Sequence, residues 1–125
     1  MLSEARVQAT LPAQDLDRAR SFYADKLGLK PVEESPAGLI YECGEGTRFL
    51  VFPSSGMPSG DHTQMGFGVT DITAEVEDLR ADGVVFEEYD FPGMKTVNGI
   101  AEVGGDMGAW FKDSEGNLIA VFQGG

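Results

Sequence analysis

An internal repeat constrains this chain more than any other feature. Gln8-Ala-Thr-Leu-Pro-Ala-Gln-Asp15-Leu16-Asp17 aligns with Gln64-Met-Gly-Phe-Gly-Val-Thr-Asp71-Ile72-Thr73 at an offset of 56 residues. Glu45-Gly-Thr-Arg-Phe-Leu-Val-Phe52 aligns with Glu115-Gly-Asn-Leu-Ile-Ala-Val-Phe122 at an offset of 70. A chain written twice builds the same supersecondary unit twice, and the two units bury together the faces that neither can cover alone. With 125 residues and 42% hydrophobic content, that is one domain, 1–125, with a core large enough to need no staples.

The first copy opens with an apolar run, Arg6 to Pro12, that reads as a strand closing on a proline. Asp15 stands where a helix N-cap belongs, and Leu16, Ala19, Tyr23 and Leu27 follow at helical spacing, with Gly28 as the stop. Leu29 to Glu34, Leu39 to Cys43 and Phe49 to Phe52 read as three further strands, which makes the unit βαβββ. The second copy repeats it: strand Gln64 to Val69, N-cap Asp71, buried stripe Ile72, Val76 and Leu79, stop Gly83, and strand Val84 to Tyr89. A final hairpin runs from Ala109 to Phe111 through Asp113-Ser-Glu-Gly116 to Leu118–Phe122. Module one is placed at about 4–53, a Pro/Ser/Gly linker at 54–61 and module two at 62–123. The growing offset leaves about fifteen extra residues between Tyr89 and Ala109. That segment carries Phe91 and Met94 and is read either as a flap over a cavity or as a wide hairpin.

The net charge of −12 argues against nucleic acid and anionic membrane surfaces, whose phosphates reward Lys and Arg. It suits a cationic ligand or a solvated acidic surface. Cys43 is the only cysteine, which excludes an internal disulfide and a thiolate metal cluster. With no apolar signal region and no stretch of membrane-spanning length, a cytoplasmic location is expected.

Asp-Leu-Asp-Arg-Ala-Arg-Ser-Phe-Tyr (15–23), Lys26-Leu-Gly-Leu29 and Phe111-Lys-Asp-Ser-Glu-Gly-Asn-Leu118, set in tandem βαβββ modules, resemble the vicinal oxygen chelate superfamily. This is the fold of lactoylglutathione lyases, extradiol dioxygenases and bleomycin-resistance proteins. The resemblance covers nearly the whole chain. It implies an α+β fold whose modules form a curved mixed sheet around a cavity, and it implies a homodimer. In the family's enzymes, the first and last strand of each module supply one metal ligand apiece. Those positions fall here on Gln8, Leu50, Gln64 and Ala120. Two neutral amides and two aliphatic side chains cannot offset the desolvation of a divalent ion, so no metal cofactor is expected. The alternative is a divalent-metal site with atypical ligands, in which His62, the sole histidine, would combine with acids such as Glu42 or Asp106.

Strand parity puts Thr10 and Gly66 on the same face as Gln8 and Gln64, joined by Leu50, Phe52, Ala120 and Phe122. Trp110 and Tyr41 are candidates to stack a flat or cationic group, or else are plain core. Apolar walls with a few amides suit a small organic ligand. The expected function is metal-free binding of an aromatic or cationic small molecule. The competing reading is a metal-dependent lyase, isomerase or dioxygenase. An enzyme without metal lacks a convincing base, since neither glutamine exchanges protons near neutrality.

Overall fold

Two aspartates start the two helices. Asp15 caps α1 (Leu16–Leu27) by accepting from the Arg18 N–H at 3.0 Å, and Asp71 caps α2 (Ile72–Ala81) through the Ala74 N–H at 3.1 Å. Gly28 ends α1 in the left-handed region with φ 69°, where a side chain would be strained, and Gly83, with φ 94°, follows α2. In the computed structural model, which describes residues 1–124, the helices alternate with ten strands. The first half contributes β1 (Ala9–Ala13), β2 (Glu33–Ser35), β3 (Gly38–Glu42) and β4 (Arg48–Pro53). The second contributes β5 (Thr63–Gly68), β6 (Asp90–Phe91), β7 (Met94–Val97), β8 (Ile100–Val103), β9 (Asp106–Lys112) and β10 (Leu118–Gln123).

The strands form two mixed sheets, ordered β1-β4-β3-β2 and β5-β10-β9-β8-β7-β6. In each, the first strand of the module pairs in parallel with its last, β1 with β4 and β5 with β10, while the other pairs are antiparallel. The fold is therefore the doubled α+β architecture that the repeat requires.

The extra residues of module two take the hairpin reading rather than the flap: β7 and β8 extend the second sheet to six strands. Two expectations from the sequence need correction. Val84 to Tyr89 forms no strand: it makes a single bridge, Phe86 to Phe111, with the Glu87 N–H donating to the Trp110 carbonyl at 2.7 Å, and at its end the Thr96 N–H donates to the Tyr89 carbonyl at 2.9 Å and the Tyr89 N–H to Thr96 Oγ1 at 2.8 Å. β8 occupies the same edge of β9 along 106–108, and this segment meets that edge beyond it, at Trp110 and Phe111. Finally, Leu29 to Glu34 yields only β2, because Pro31 has no N–H to give a ladder, although the Val32 N–H still reaches the Ile40 carbonyl at 2.7 Å.

Strand alternation decides the core. Leu11, Leu39, Tyr41, Phe49 and Val51 from the first sheet meet Tyr23 of α1, and Phe111, Ile119 and Val121 from the second meet Ile72 and Val76 of α2. Phe49 and Phe67 touch edge to face at 6.0 Å, joining the halves into one cluster. Each such fully buried side chain contributes about 1.5–3 kcal/mol.

A polar lock joins module two to module one. The β9–β10 turn carries Asp113, whose Oδ2 accepts from the Tyr23 hydroxyl at 2.8 Å and from Asn117 Nδ2 at 2.9 Å. Its Oδ1 accepts the backbone N–H groups of Glu115 and Asn117, and Asn117 Nδ2 also donates to the Pro12 carbonyl at 3.0 Å. Beside it, Arg18 grips Glu115 with two bonds, Nε to Oε2 at 2.8 Å and Nη2 to Oε1 at 3.0 Å. The Arg18 guanidinium holds the Glu115 carboxyl down at about 2, against the opposing pull of burial, and the Asp15 N–H and Ser114 hydroxyl assist. Burial first, then the Asp113 charge, pushes the Tyr23 hydroxyl well above the ordinary tyrosine range.

Candidate functional site

The faces of the sheets turned away from the helices hold most of the residues that parity selects. Cross-strand pairing sets Thr10, Leu50 and Ile40 in one row and Pro12 and Phe52 in the next. In the second sheet Gly66, Ala120 and Trp110 form one row, and Gly68, Phe122 and Gly108 another. The floor is shaped by rings resting on glycines. A Cβ on Gly66 would lie 3.0 Å from Phe122 Cε1, and one on Gly68 would lie 3.1 Å from its Cζ. Likewise, a Cβ on Gly108 would lie 3.0 Å from Trp110 Cη2. Absence of side chains is what lets the two rings lie against the sheet.

An aromatic line continues outward. Trp110 meets Tyr89 at 5.8 Å, and Tyr89 meets Phe91 at 6.1 Å, both edge to face. Phe91 is 54% exposed, and Met94 is half-buried beside it on the paired strand. Trp110 Nε1 donates to Thr63 Oγ1 at 3.1 Å, which fixes the indole.

Tyr41 does not belong to this surface. It pairs with Phe49 on the helix side, is 0% exposed and stacks on Phe49 at 4.9 Å, and burial pushes its hydroxyl up to about 12. Gln8 precedes β1 and is exposed. Strict alternation also fails at Gln64. A register shift makes it the extra residue between Thr63, opposite Leu118, and Met65, opposite Ile119. This bulge brings Thr63 onto the face that alternation gives to its neighbours, and it cancels the argument that placed His62 beside Gln64. His62 is exposed and its Nδ1 lies 2.8 Å from Ser59 Oγ. The Gln64 carbonyl oxygen is shielded from solvent and has no hydrogen-bond partner among the described residues. Ile40, Thr63 and Tyr89 were missed by sequence reasoning. The offset of 70 that equates Leu50 with Ala120 also equates Ile40 with Trp110, a signal within reach; the bulge that places Thr63 has none.

The donor set does not fit a divalent metal. Leu50 and Ala120 have no donor atom, and Gln64 offers one neutral oxygen. Among the described residues no three His, Cys, Asp or Glu side chains come together in a ligand geometry. Within one chain this face is open among the described residues: Thr10, Gly66 and Gly68 are exposed and Phe122 is 46% exposed. A cavity of about 700 Å³ lies instead on the opposite side of β5, between the β3–β4 turn and α2.

A doubled βαβββ fold whose helix-free faces carry the first- and last-strand positions of each module defines a family. The family model for the Glyoxalase/Bleomycin resistance protein/Dioxygenase superfamily matches residues 6–121, and the chain belongs to that superfamily. Among solved structures it is similar to UcmS2, with TM-score 0.74 and 20% identity over 95% of this chain and 98% of that one. It is similar to TnmS3, an antibiotic binding protein from Streptomyces sp. CB03234, with TM-score 0.67 and 21% identity over 100% of both chains. The lactoylglutathione lyase from Agrobacterium tumefaciens gives TM-score 0.64 and 24% identity over 97% and 94%. At these identities the likeness shows the fold. No curated protein matches the chain by sequence. Among the described residues no helix is long and apolar enough to cross a membrane.

Proposed function

We propose that the protein binds a small, flat organic molecule on the helix-free face without a metal. The observation that carries this reading is the replacement of the family's four ligand positions by Gln8, Leu50, Gln64 and Ala120, beside rings laid flat on Gly66, Gly68 and Gly108. Phe122 and Trp110 offer stacking area on that face. Likeness to an antibiotic binding protein supports the reading; likeness to a lyase supports only the fold. A homodimer would cover part of the open face and is part of the proposal, as is a cytoplasmic location.

The test pairs metal analysis with ligand titration. Protein incubated with nickel, zinc, manganese and ferrous iron, then dialysed, should retain no stoichiometric metal. A planar aromatic panel should yield a compound that quenches Trp110, and Trp110→Ala should weaken its binding about tenfold. One retained metal equivalent per chain would instead favour the lyase, isomerase or dioxygenase reading and overturn this one.

A further inference from the structure

The 700 Å³ cavity lies on the helix side of β5, which separates it from the face described above. Its aromatic and aliphatic strand side chains Phe49, Phe67, Phe111 and Val121 have core parity, and Gly66 and Gly68 of β5, which carry no side chain, border it through their backbone. The internal repeat explains why it exists. Carried across the offsets of 56 and 70, Asp113, Glu115 and Asn117 fall on Cys43, Glu45 and Thr47, while Arg18, Ala19 and Tyr23 fall on Ala74, Glu75 and Leu79. In module two the turn fills the space beside β1 and α1 and locks there. For the module-one turn neither lock partner is present, since α2 carries Ala74 and Leu79 where α1 has Arg18 and Tyr23, so the equivalent space beside β5 and α2 stays open, walled by Phe49, Phe67 and Leu79 and rimmed by Cys43, Glu45 and Glu75.

The charge of the rim selects the occupant. The side-chain carboxylates of Glu45 and Glu75 have no ion-pair or hydrogen-bond partner among the described residues. Arg48 also lines the cavity, but Glu42 holds its Nε at 2.9 Å and Glu33 stands 3.8 Å from its Nη1. The cavity therefore presents two uncompensated carboxylates above apolar and aromatic walls, in a chain of net charge −12. Rings at the wall and carboxylates at the rim both attract a cation with apolar bulk. The volume lies within the range of drug-sized ligands.

We propose that this cavity is a second small-molecule site, separate from the helix-free face, that takes a bulky hydrophobic organic cation.

The probe pair is tetraphenylphosphonium and tetraphenylborate, similar in shape and opposite in charge, followed by equilibrium dialysis. The chain supplies its own reporters: Cys43 lines this cavity, and Trp110, the single tryptophan, lies on the other face. Phosphonium should bind saturably and at least tenfold more tightly than borate. It should slow alkylation of Cys43 by N-ethylmaleimide in proportion to occupancy and leave Trp110 emission unchanged. The double variant Glu45→Gln/Glu75→Gln, at two exposed positions, should erase most of the preference for the cation. Leu79→Arg should abolish phosphonium binding, whereas Trp110→Ala should not affect it. Absence of binding, equal binding of the anion, or binding that Trp110→Ala removes and Leu79→Arg does not would overturn the proposal. Failure of planar aromatics to quench Trp110 bears only on the helix-free face.

Discussion

The two hairpin turns of this molecule began as the same stretch of repeat and now behave in opposite ways. Asp113–Asn117 is buried, with three of its side chains spent on docking to module one. Gly44–Thr47 is exposed, holds Glu45 in the left-handed region at φ 58°, and among the described residues makes its side-chain hydrogen bonds within module one, Arg6 to the Gly46 carbonyl and Thr47 to the Gly44 carbonyl. The difference comes from few positions. An aspartate became a cysteine, an asparagine a threonine, and on the receiving helix a tyrosine became a leucine and an arginine an alanine. One set closes the junction between the halves and the other leaves a cavity in it. Duplication fixed the frame, and a handful of polar side chains decided which half of the junction is structure and which is available for binding.

The largest effect should come from breaking the lock at its hub. Asp113→Ala strands the Tyr23 hydroxyl and the Asn117 amide in a buried place, and urea unfolding should show a loss of about 3–5 kcal/mol. Its counterpart Cys43→Ala removes a half-buried thiol and no hydrogen bond, and should cost under about 1 kcal/mol. Equal costs would mean the two turns are energetically alike.

Acid should dissect the same contrast. Glu115 has a folded pKa of about 2, below its unfolded value of about 4.5, so its contribution is complete above 4.5 and is lost as pH falls toward 2. Glu115→Gln should cost about 2 kcal/mol near neutrality and should flatten the decline in stability across that window. A decline undiminished in Glu115→Gln would place the acid sensitivity elsewhere.

The smallest expected effect tests whether the halves differ where the repeat is intact. Gly28→Ala places a side chain at φ 69° with nothing within 4 Å of the new Cβ, a conformational cost of about 1 kcal/mol. Gly83→Ala carries the same penalty and also brings the Cβ within 2.5 Å of Lys26 Nζ, a flexible tip that can move aside. The two melting temperatures should fall by similar small amounts.

What could be read from the sequence follows from which interactions are periodic. Caps at Asp15 and Asp71, the stops at Gly28 and Gly83, and the alternation through Phe49–Phe52 are local signals, and the structure agrees with them. The fate of Val84 to Tyr89 depended on how the chain meets an edge of β9 that β8 shares along 106–108, which no local pattern records. Tyr41 sits on the wrong side because an aromatic on a strand announces burial and not the face, although its pairing with Phe49 follows from the hairpin. At the helix-free face, parity correctly grouped Thr10, Leu50 and Phe52, and Gly66, Ala120 and Phe122, because regular ladders preserve parity. It failed at the bulge, where one inserted residue shifts every residue before it. The cavity at Cys43 was invisible because it arises from contacts that are missing between segments far apart in the chain.

The rings laid across Gly66, Gly68 and Gly108 tie distant positions into joint mutational units. None of these three glycines has a backbone that demands glycine; it is the neighbour's ring that forbids a side chain. Replacing Gly66 by Ala should therefore be costly beside Phe122 and cheap beside a smaller residue, and a double-mutant cycle should return a coupling as large as the single effects. The shape of the binding face can then change only by paired substitutions, so a new ligand specificity is reached through two residues at once or not at all.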